Sequence, residues 1–325
     1  MAVRSESLWI PIEMDSGVIA KVALDSAIEF VGRRVPMGSN ARSVPRDGGV
    51  ASVLANPGDT YVGDGSVDDI VTLHTFKFTG AAELTSEDLH DSPQNIVEVR
   101  AAGWLRSNNI KMDNSVFGVT ATQSNTVTNN APYTSLYNCL KSQNDTDAGY
   151  TAGQNYLSAA ALAGSGGYSQ LLSLFEIYET SDYFDPDRSV VLADPALKSQ
   201  LRGIVDSIGR PIFEDSAHAS IDGYVDEASS KETPNLFGVP MLFTKGMRTS
   251  QGASQAPTGN PLIAVGNRDH LIWGISTETP TPQSRAVVQP NADLTLLMYR
   301  VRRGFSVGYP QAWSILELTS LAGTG

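Results

Sequence analysis

The segment Tyr299-Arg300-Val301-Arg302-Arg303-Gly304-Phe305-Ser306-Val307-Gly308-Tyr309-Pro310-Gln311-Ala312-Trp313 constrains this chain more than any other. Three arginines stand beside a Gly-Phe pair, an alternating strand-like run follows, and a Pro-x-Ala-aromatic turn closes it. The chain around it is acidic, with 23 Lys+Arg against 35 Asp+Glu and a net charge of −12. A knot of positive charge on a strand of such a chain must be set against something. The alternatives are acids across the strand and the surface of another subunit. A nucleic-acid stripe is disfavoured, because the arginines lack interleaved lysines and stacking aromatics, and affinity for a polyphosphate rests on clustered cations.

With 325 residues, 41% of them hydrophobic and 18% charged, the chain can bury a sizeable core as one large domain or two lobes. Cys139 is the single cysteine, so no intrachain disulfide forms, and a lone thiol fits a reducing compartment. Met1 to Ile10 shows no basic region followed by an apolar stretch, and no apolar run reaches the roughly 20 residues that span a bilayer. A soluble protein that begins life in a cytoplasm is the expectation.

Along the chain, Asp15-Ser16 caps a predicted helix carrying Ala20, Leu24, Ala27, Ile28 and Val31 on one face, ended by Gly32-Arg33-Arg34 and Pro36. From Gly38 to Asp69 the sequence is rich in Gly, Pro, Asn and Asp and reads as an extended hairpin with little core of its own, Val71 to Phe78 being its return strand. Glu83 to Asp91 reads as a short helix, and Ser92-Pro93 opens a longer one with Val97, Ala101, Trp104 and Leu105 on one face. That helix runs to about Lys111 and closes in Asp113-Asn114-Ser115-Val116-Phe117-Gly118. Loops follow, with a short helix near Leu136. Ser165 caps a helix through Leu171, Leu172, Phe175 and Tyr178, and Ser189 to Leu192 is a buried strand. Asp194-Pro195 opens a helix with Leu197, Leu201, Ile204, Val205 and Ile208, stopped by Gly209 and Pro211. Leu236–Phe243, Ile263–Val265, Leu271–Ile275 and Leu294–Tyr299 complete the strands. The order is α+β, without the βαβ rhythm of a nucleotide fold.

Catalytic chemistry has thin support. Ala163-Gly164-Ser165-Gly166-Gly167 loosely resembles the nucleophile elbow of serine hydrolases, with Asp206 and His218 or His270 available as acid and base. The first motif glycine is alanine here, and no His-Gly-Gly segment lies upstream, so a plain helix start competes with the hydrolase reading. Asp182, Asp185 and Asp187 could hold calcium, but the EF-hand spacing fails and a solvated loop competes. His74, His90, His218 and His270 lack zinc-ligand spacing. No catalytic, cofactor or metal residue is assigned.

Several segments in collinear order resemble the HK97-like major capsid proteins of tailed double-stranded DNA bacteriophages. They are Val35-Pro36-Met37 with Val44-Pro45, the Gly/Asp-rich stretch Arg46 to Phe78, Glu83-Leu84-Thr85-Ser86-Glu87-Asp88-Leu89, Lys111 to Gly118, Leu192-Ala193-Asp194-Pro195, Asp206 to Pro211 with its Gly-Arg-Pro turn, Asn235 to Met241, Val265-Gly266-Asn267, and the arginine segment. The resemblance implies an N-terminal arm (1–45), an E-loop (46–80), a peripheral domain with a spine helix (81–120), an axial domain (121–255), peripheral return strands (256–312) and a C-terminal axial strand or tail (313–325). It also implies a virion shell assembled in the host cytoplasm from pentamers and hexamers. Scaffolding would come from a separate protein, a cement protein and a portal are possible partners, and the DNA is enclosed without sequence-specific contacts. Acidic surface facing the lumen would limit adhesion of that DNA. Candidate subunit contacts are Arg33, Arg34, Asp59, Asp64, Asp68, Asp69, Arg300, Arg302 and Arg303. No lysine lies between Arg46 and Phe76, so the E-loop tip lacks the amine for the isopeptide crosslink of some members, and a non-covalent shell is implied. The alternatives are an encapsulin-like compartment, which shares the fold, and a serine hydrolase using Ser165.

Overall fold

A computed structural model describes residues 25–47, 69–85, 96–123, 131–162, 164–204, 213–214, 234–279, 281–289 and 294–320. The chain begins with helix α1 (Ala27–Val31), then β1 (Arg33–Met37), β2 (Ala41–Arg46) and the long β3 (Asp69–Thr85). Helix α2 (Ile96–Phe117) and α3 (Leu136–Ser142) precede β4 (Tyr156–Ala159), α4 (Gly164–Glu179) and β5 (Ser189–Ala193). After a 3-10 turn at Pro195–Leu197 come α5 (Lys198–Arg202), β6 (Phe213–Glu214), β7 (Asn235–Leu236) and β8 (Val239–Phe243). The chain ends in β9 (Leu262–Asn267), β10 (Leu271–Ser276), β11 (Gln283–Gln289), β12 (Leu294–Val307) and β13 (Trp313–Leu318).

Two sheets organise these elements. One runs β1-β10-β12-β3-β2 with β11 beside β12, and the other runs β4-β13-β9-β5-β8-β7-β6. In the second sheet side chains alternate between two cores, as the two-residue period of a strand requires. Val190, Leu192, Leu262, Ala264, Trp313 and Ile315 face one way, and Val191, Ala193, Ile263, Val265, Leu316 and Leu318 face the other, where α4 brings Leu171, Leu174, Phe175 and Tyr178. A sheet covered on both faces explains why β5, β9 and β13 are buried throughout. The first of these cores continues into Ile28, Trp273, Val301 and Phe305 of the other lobe, so both sheets share one interior.

Helix α2 differs from its sequence reading at both halves. Its N-terminal part lays Ile96, Val97, Ala101 and Trp104 on Leu84, Leu297 and Tyr299, while Leu105 points outward, 40% exposed. Trp104 stacks on Tyr299 with ring centroids 5.1 Å apart. The indole lies over Gly80 so closely that a Cβ there would sit 2.2 Å from it, which explains the glycine in mid-strand. The other end does not stop at Lys111 but continues to Phe117. Asp113 and Asn114, read as stop signals, are buried inside it with tertiary partners. Asp113 accepts from Ser26 Oγ (2.6 Å), from the amides of Ala27 (2.9 Å) and Ile28 (3.2 Å), and from Thr244 Oγ1 (2.5 Å). Asn114 donates to the carbonyls of Gly246 (3.1 Å) and Arg248 (2.7 Å) and accepts from Ser250 Oγ (2.6 Å). Burial pushes the Asp113 carboxyl up, against four donors that pull it down.

Other expectations are also revised. Glu83-Leu84-Thr85 is the end of β3 and not a helix start, because Leu84 is buried beside Leu297 and Tyr299. Asp194 caps the Pro195 turn through Ala196 N at 2.6 Å as read, but the helix ends at Arg202 with Gly203, before Gly209. Leu236–Phe243 is two strands joined by a tight turn, with Phe237 at φ 51° and Gly238 at φ 82°. The Asp15-Ser16 cap, Val205, Ile208 and the Gly-Arg-Pro turn lie outside the described residues.

Candidate assembly surface

The arginine segment is one continuous β12 whose odd positions face the core: Leu297, Tyr299, Val301, Arg303, Phe305 and Val307 are buried. Arg303 falls on that register and is 2% exposed, whereas Arg300 and Arg302 point to the other face. On one side β12 pairs with β3 from Leu294 to Gly304; on the other it pairs first with β11 and then with β10. Where β10 gives way to β11, Arg303 Nη1 donates to the carbonyls of Thr279 (2.9 Å) and Arg302 (3.1 Å), and its Nε and Nη2 reach Glu29 Oε1 at 3.0 and 2.9 Å. The arginine ties helix α1 to the turn between two strands. Arg303, read as a candidate subunit contact, is instead buried and paired within its own chain.

Arg302 is more open, paired with Glu278 at 2.9 Å, and Arg300 donates to Gln283 Oε1 at 2.9 and 3.1 Å across the β11–β12 ladder. Arg33 is exposed on β1, and Arg34 donates to the Glu29 carbonyl (2.9 and 3.2 Å) at the end of α1, where a cation complements the dipole. Arg33, Arg34, Arg300 and Arg302 thus belong to one sheet, with Arg33 and Arg34 leaving β1 on opposite faces and Arg33 sharing the face of Arg300 and Arg302. Asp59, Asp64 and Asp68 lie outside the described residues, and Asp69 is held by Arg46 at the hairpin base. Arg46 holds the Asp69 carboxyl below the usual range.

Sequence reasoning missed the junction at that hairpin base. Arg46, at the end of β2, reaches Asp145 (2.7 Å) and the Gly308 carbonyl (2.9 Å), and its guanidinium lies 5.2 Å from the Tyr309 ring centre. Tyr309 stacks on Tyr183 at 4.6 Å, and His270 meets both rings edge-on. Only the aromatic content of Tyr309-Pro310 hinted at it, since its members come from five distant stretches.

The alternatives fare differently. Ser165 lies within α4, which starts at Gly164, rather than capping it, and the His270 ring packs edge-on against the stacked Tyr183 and Tyr309; Asp206 and His218 lie outside the described residues. In the Asp182–Asp187 loop, Asp185 accepts from the Asp187 amide (3.0 Å) and its carbonyl accepts from Ser189 Oγ (2.6 Å), the contacts of a turn. The acids that converge among the described residues are Asp69, Asp145 and Asp147, and Arg46 already neutralises two of them. Among those residues no helix is long and apolar enough to cross a membrane.

No family model matches the sequence, and no curated protein matches it. Solved structures do. The chain superposes on one from the capsid of the native GTA particle with a TM-score of 0.67 at 14% identity, covering 97% of this chain and 97% of that one. A chain of Mycobacterium phage Bobi gives 0.66 at 14% identity over 98% and 97%, and one of Gordonia phage Cozz 0.64 at 16% over 98% and 93%. Identities this low speak for architecture alone, and the coverage is nearly complete in both directions: the chain has the α+β fold of phage capsid subunits, the HK97-like fold.

Proposed function

We propose that this chain is a major capsid protein that self-assembles into the pentamers and hexamers of an icosahedral head around double-stranded DNA. The observation that carries the reading is the two-way coverage: 97% of this chain superposes on 97% of the one from the native GTA capsid. The role is structural rather than enzymatic, and its location is the virion, reached by assembly in the host cytoplasm. Residues 1–45 serve as the arm, 46–80 as the E-loop, 81–120 as the spine segment, 121–255 as the axial domain, 256–312 as the return strands and 313–325 as the closing axial strand and tail. The stretch between Arg46 and Asp69, whose residues 48–68 lie outside the described residues, serves as a contact with neighbouring subunits, where burial offsets its ordering cost. A separate scaffolding protein sets the shell size; a portal fills one vertex, and a cement protein reinforces the lattice.

Arg33, Arg34, Arg300 and Arg302 supply intersubunit contacts with acidic partners on neighbouring copies. The shell is non-covalent, because the one amine within 46–80 is Lys77, which stands at the base of the loop in the β3–β12 ladder. Boiling assembled particles in SDS is expected to release single chains only. A ladder of covalent oligomers would refute the non-covalent reading while leaving the shell reading intact.

A further inference from the structure

Four parts of the molecule meet between the sheets. They are the hairpin base (Arg46, Asp47, Asp69), the turn holding Asp145, and the two crossings at Arg268–His270 and 308–312, where β9 passes to β10 and β12 to β13. Arg46 touches all but the first crossing directly. Its Nη1 donates to Asp145 Oδ2 (2.7 Å) and to the Gly308 carbonyl (2.9 Å), and its Nη2 donates to Asp69 and to Asp145 Oδ1 (3.2 Å). Gly308 in turn donates its amide to the His270 carbonyl at 2.7 Å, which links the two crossings. Tyr309 donates its hydroxyl to the Asp47 carbonyl (2.6 Å), so the hairpin is held from both sides. The Arg46 side chain is 8% exposed, and those of Asp69 and Asp145 are 26% exposed.

We propose that Arg46 is a positioning residue that couples the hairpin to the crossings between the two sheets, so that the hairpin's tilt and the angle between the lobes change together. A planar guanidinium is suited to this, because its fork can serve two carboxylates and a carbonyl at once, which a lysine ammonium cannot match in geometry. The rest of the hairpin base offers weak resistance to tilting. Strand β2 is largely exposed, and its apolar support is Val44 against Val35, Met37, Leu73 and Ile272. Removing the arginine would leave Asp69 and Asp145 facing each other without their shared cation, which pushes the hairpin base away from the crossings. The assembly consequence rests on the shell reading above: a hairpin that reaches a neighbour would transmit that contact to the lobe angle of its own subunit.

Amide hydrogen exchange on the unassembled full chain tests the coupling without requiring shells. In Arg46→Met, protection is expected to fall at least about tenfold at 41–46 and 69–74 and, together with them, at Arg268, Gly308 and Ala312, with the β3–β12 ladder at 76–85 unchanged. Arg46→Lys should show the same pattern at smaller amplitude. Loss confined to the hairpin, with the crossings unmoved, would overturn the proposal, as would a uniform loss across the chain. Should Arg46→Met not fold, Asp145→Asn weakens the same junction and must give the same paired loss. Should the pattern appear in a protein that never forms shells, the coupling stands and the capsid reading falls.

Discussion

At the residue scale, charge alone is a poor guide to role. Arg302 and Arg303 are neighbours in sequence, yet one faces solvent and the other ties helix α1 to a strand junction. Arg302→Ala removes an exposed pair and should cost under about 1 kcal/mol. Arg303→Met leaves Glu29 and the Thr279 carbonyl without their donor and should cost about 3 kcal/mol, read as a shifted urea midpoint. Equal losses would contradict the assignment. From sequence, Arg302 and Arg303 were grouped with Arg300 and the strand ended at Tyr299; the parity shared by Leu297, Tyr299, Val301, Arg303, Phe305 and Val307 separates them because β12 runs unbroken to Val307. The roles of Asp113 and Asn114 were not legible, because their partners at Ser26, Thr244, Gly246 and Ser250 are remote in the chain. Arg46 was hidden for the same reason.

Glu317 gives a prediction at this scale that depends on pH. Burial alone would raise its carboxyl, but hydrogen bonds from Tyr156, Asn260, Tyr137 and Lys141 outweigh burial and hold it at about 2 against an ordinary 4.5. A carboxylate depressed in the folded state contributes its full stability above the unfolded value and loses it as pH falls. The stability of the folded chain should therefore decline between pH 4.5 and about 2 with a slope that Glu317→Gln reduces. Chemical denaturation across that window measures it, and an unchanged slope in the variant would contradict the account.

At the element scale, the strands with alternating or uniformly apolar sequence were readable, as at β5, β9 and β10. The polar β11, whose Ser284, Arg285 and Ala286 are exposed, carries no pattern of its own and exists because β12 offers it an edge. Helix ends were misjudged where a polar residue or glycine signalled a stop that tertiary contacts moved, later at Phe117 and earlier at Gly203. The contact of α2 with β3 makes a sharp prediction. Gly80→Val places a branched side chain into the Trp104 indole and should destabilise by about 1–3 kcal/mol, lifting the helix from the sheet. Trp104 fluorescence should shift to longer wavelength; a variant with native emission and stability would count against the packing described.

At the scale of the whole molecule, the two sheets share a core through Trp273, Phe305 and Trp313, and the chain crosses between them at the segments Arg46 touches. The fold class was legible from the order of weak segments rather than from any one motif. Arg33, Arg34, Arg300 and Arg302 could be named from the sequence as charged positions, whereas the Arg46 junction could not, because its partners are remote in the chain. A net charge of −12 per chain makes copies repel at low salt, so assembly should rise as ionic strength goes from about 20 to 200 mM. Light scattering across that range checks it, and falling scattering would reverse the sign of the argument. The central claim is tested most directly by electron microscopy of the purified full chain under assembly conditions. Hollow polyhedral shells of uniform diameter are expected; a monodisperse small particle in every condition, with or without scaffolding protein, would contradict the account.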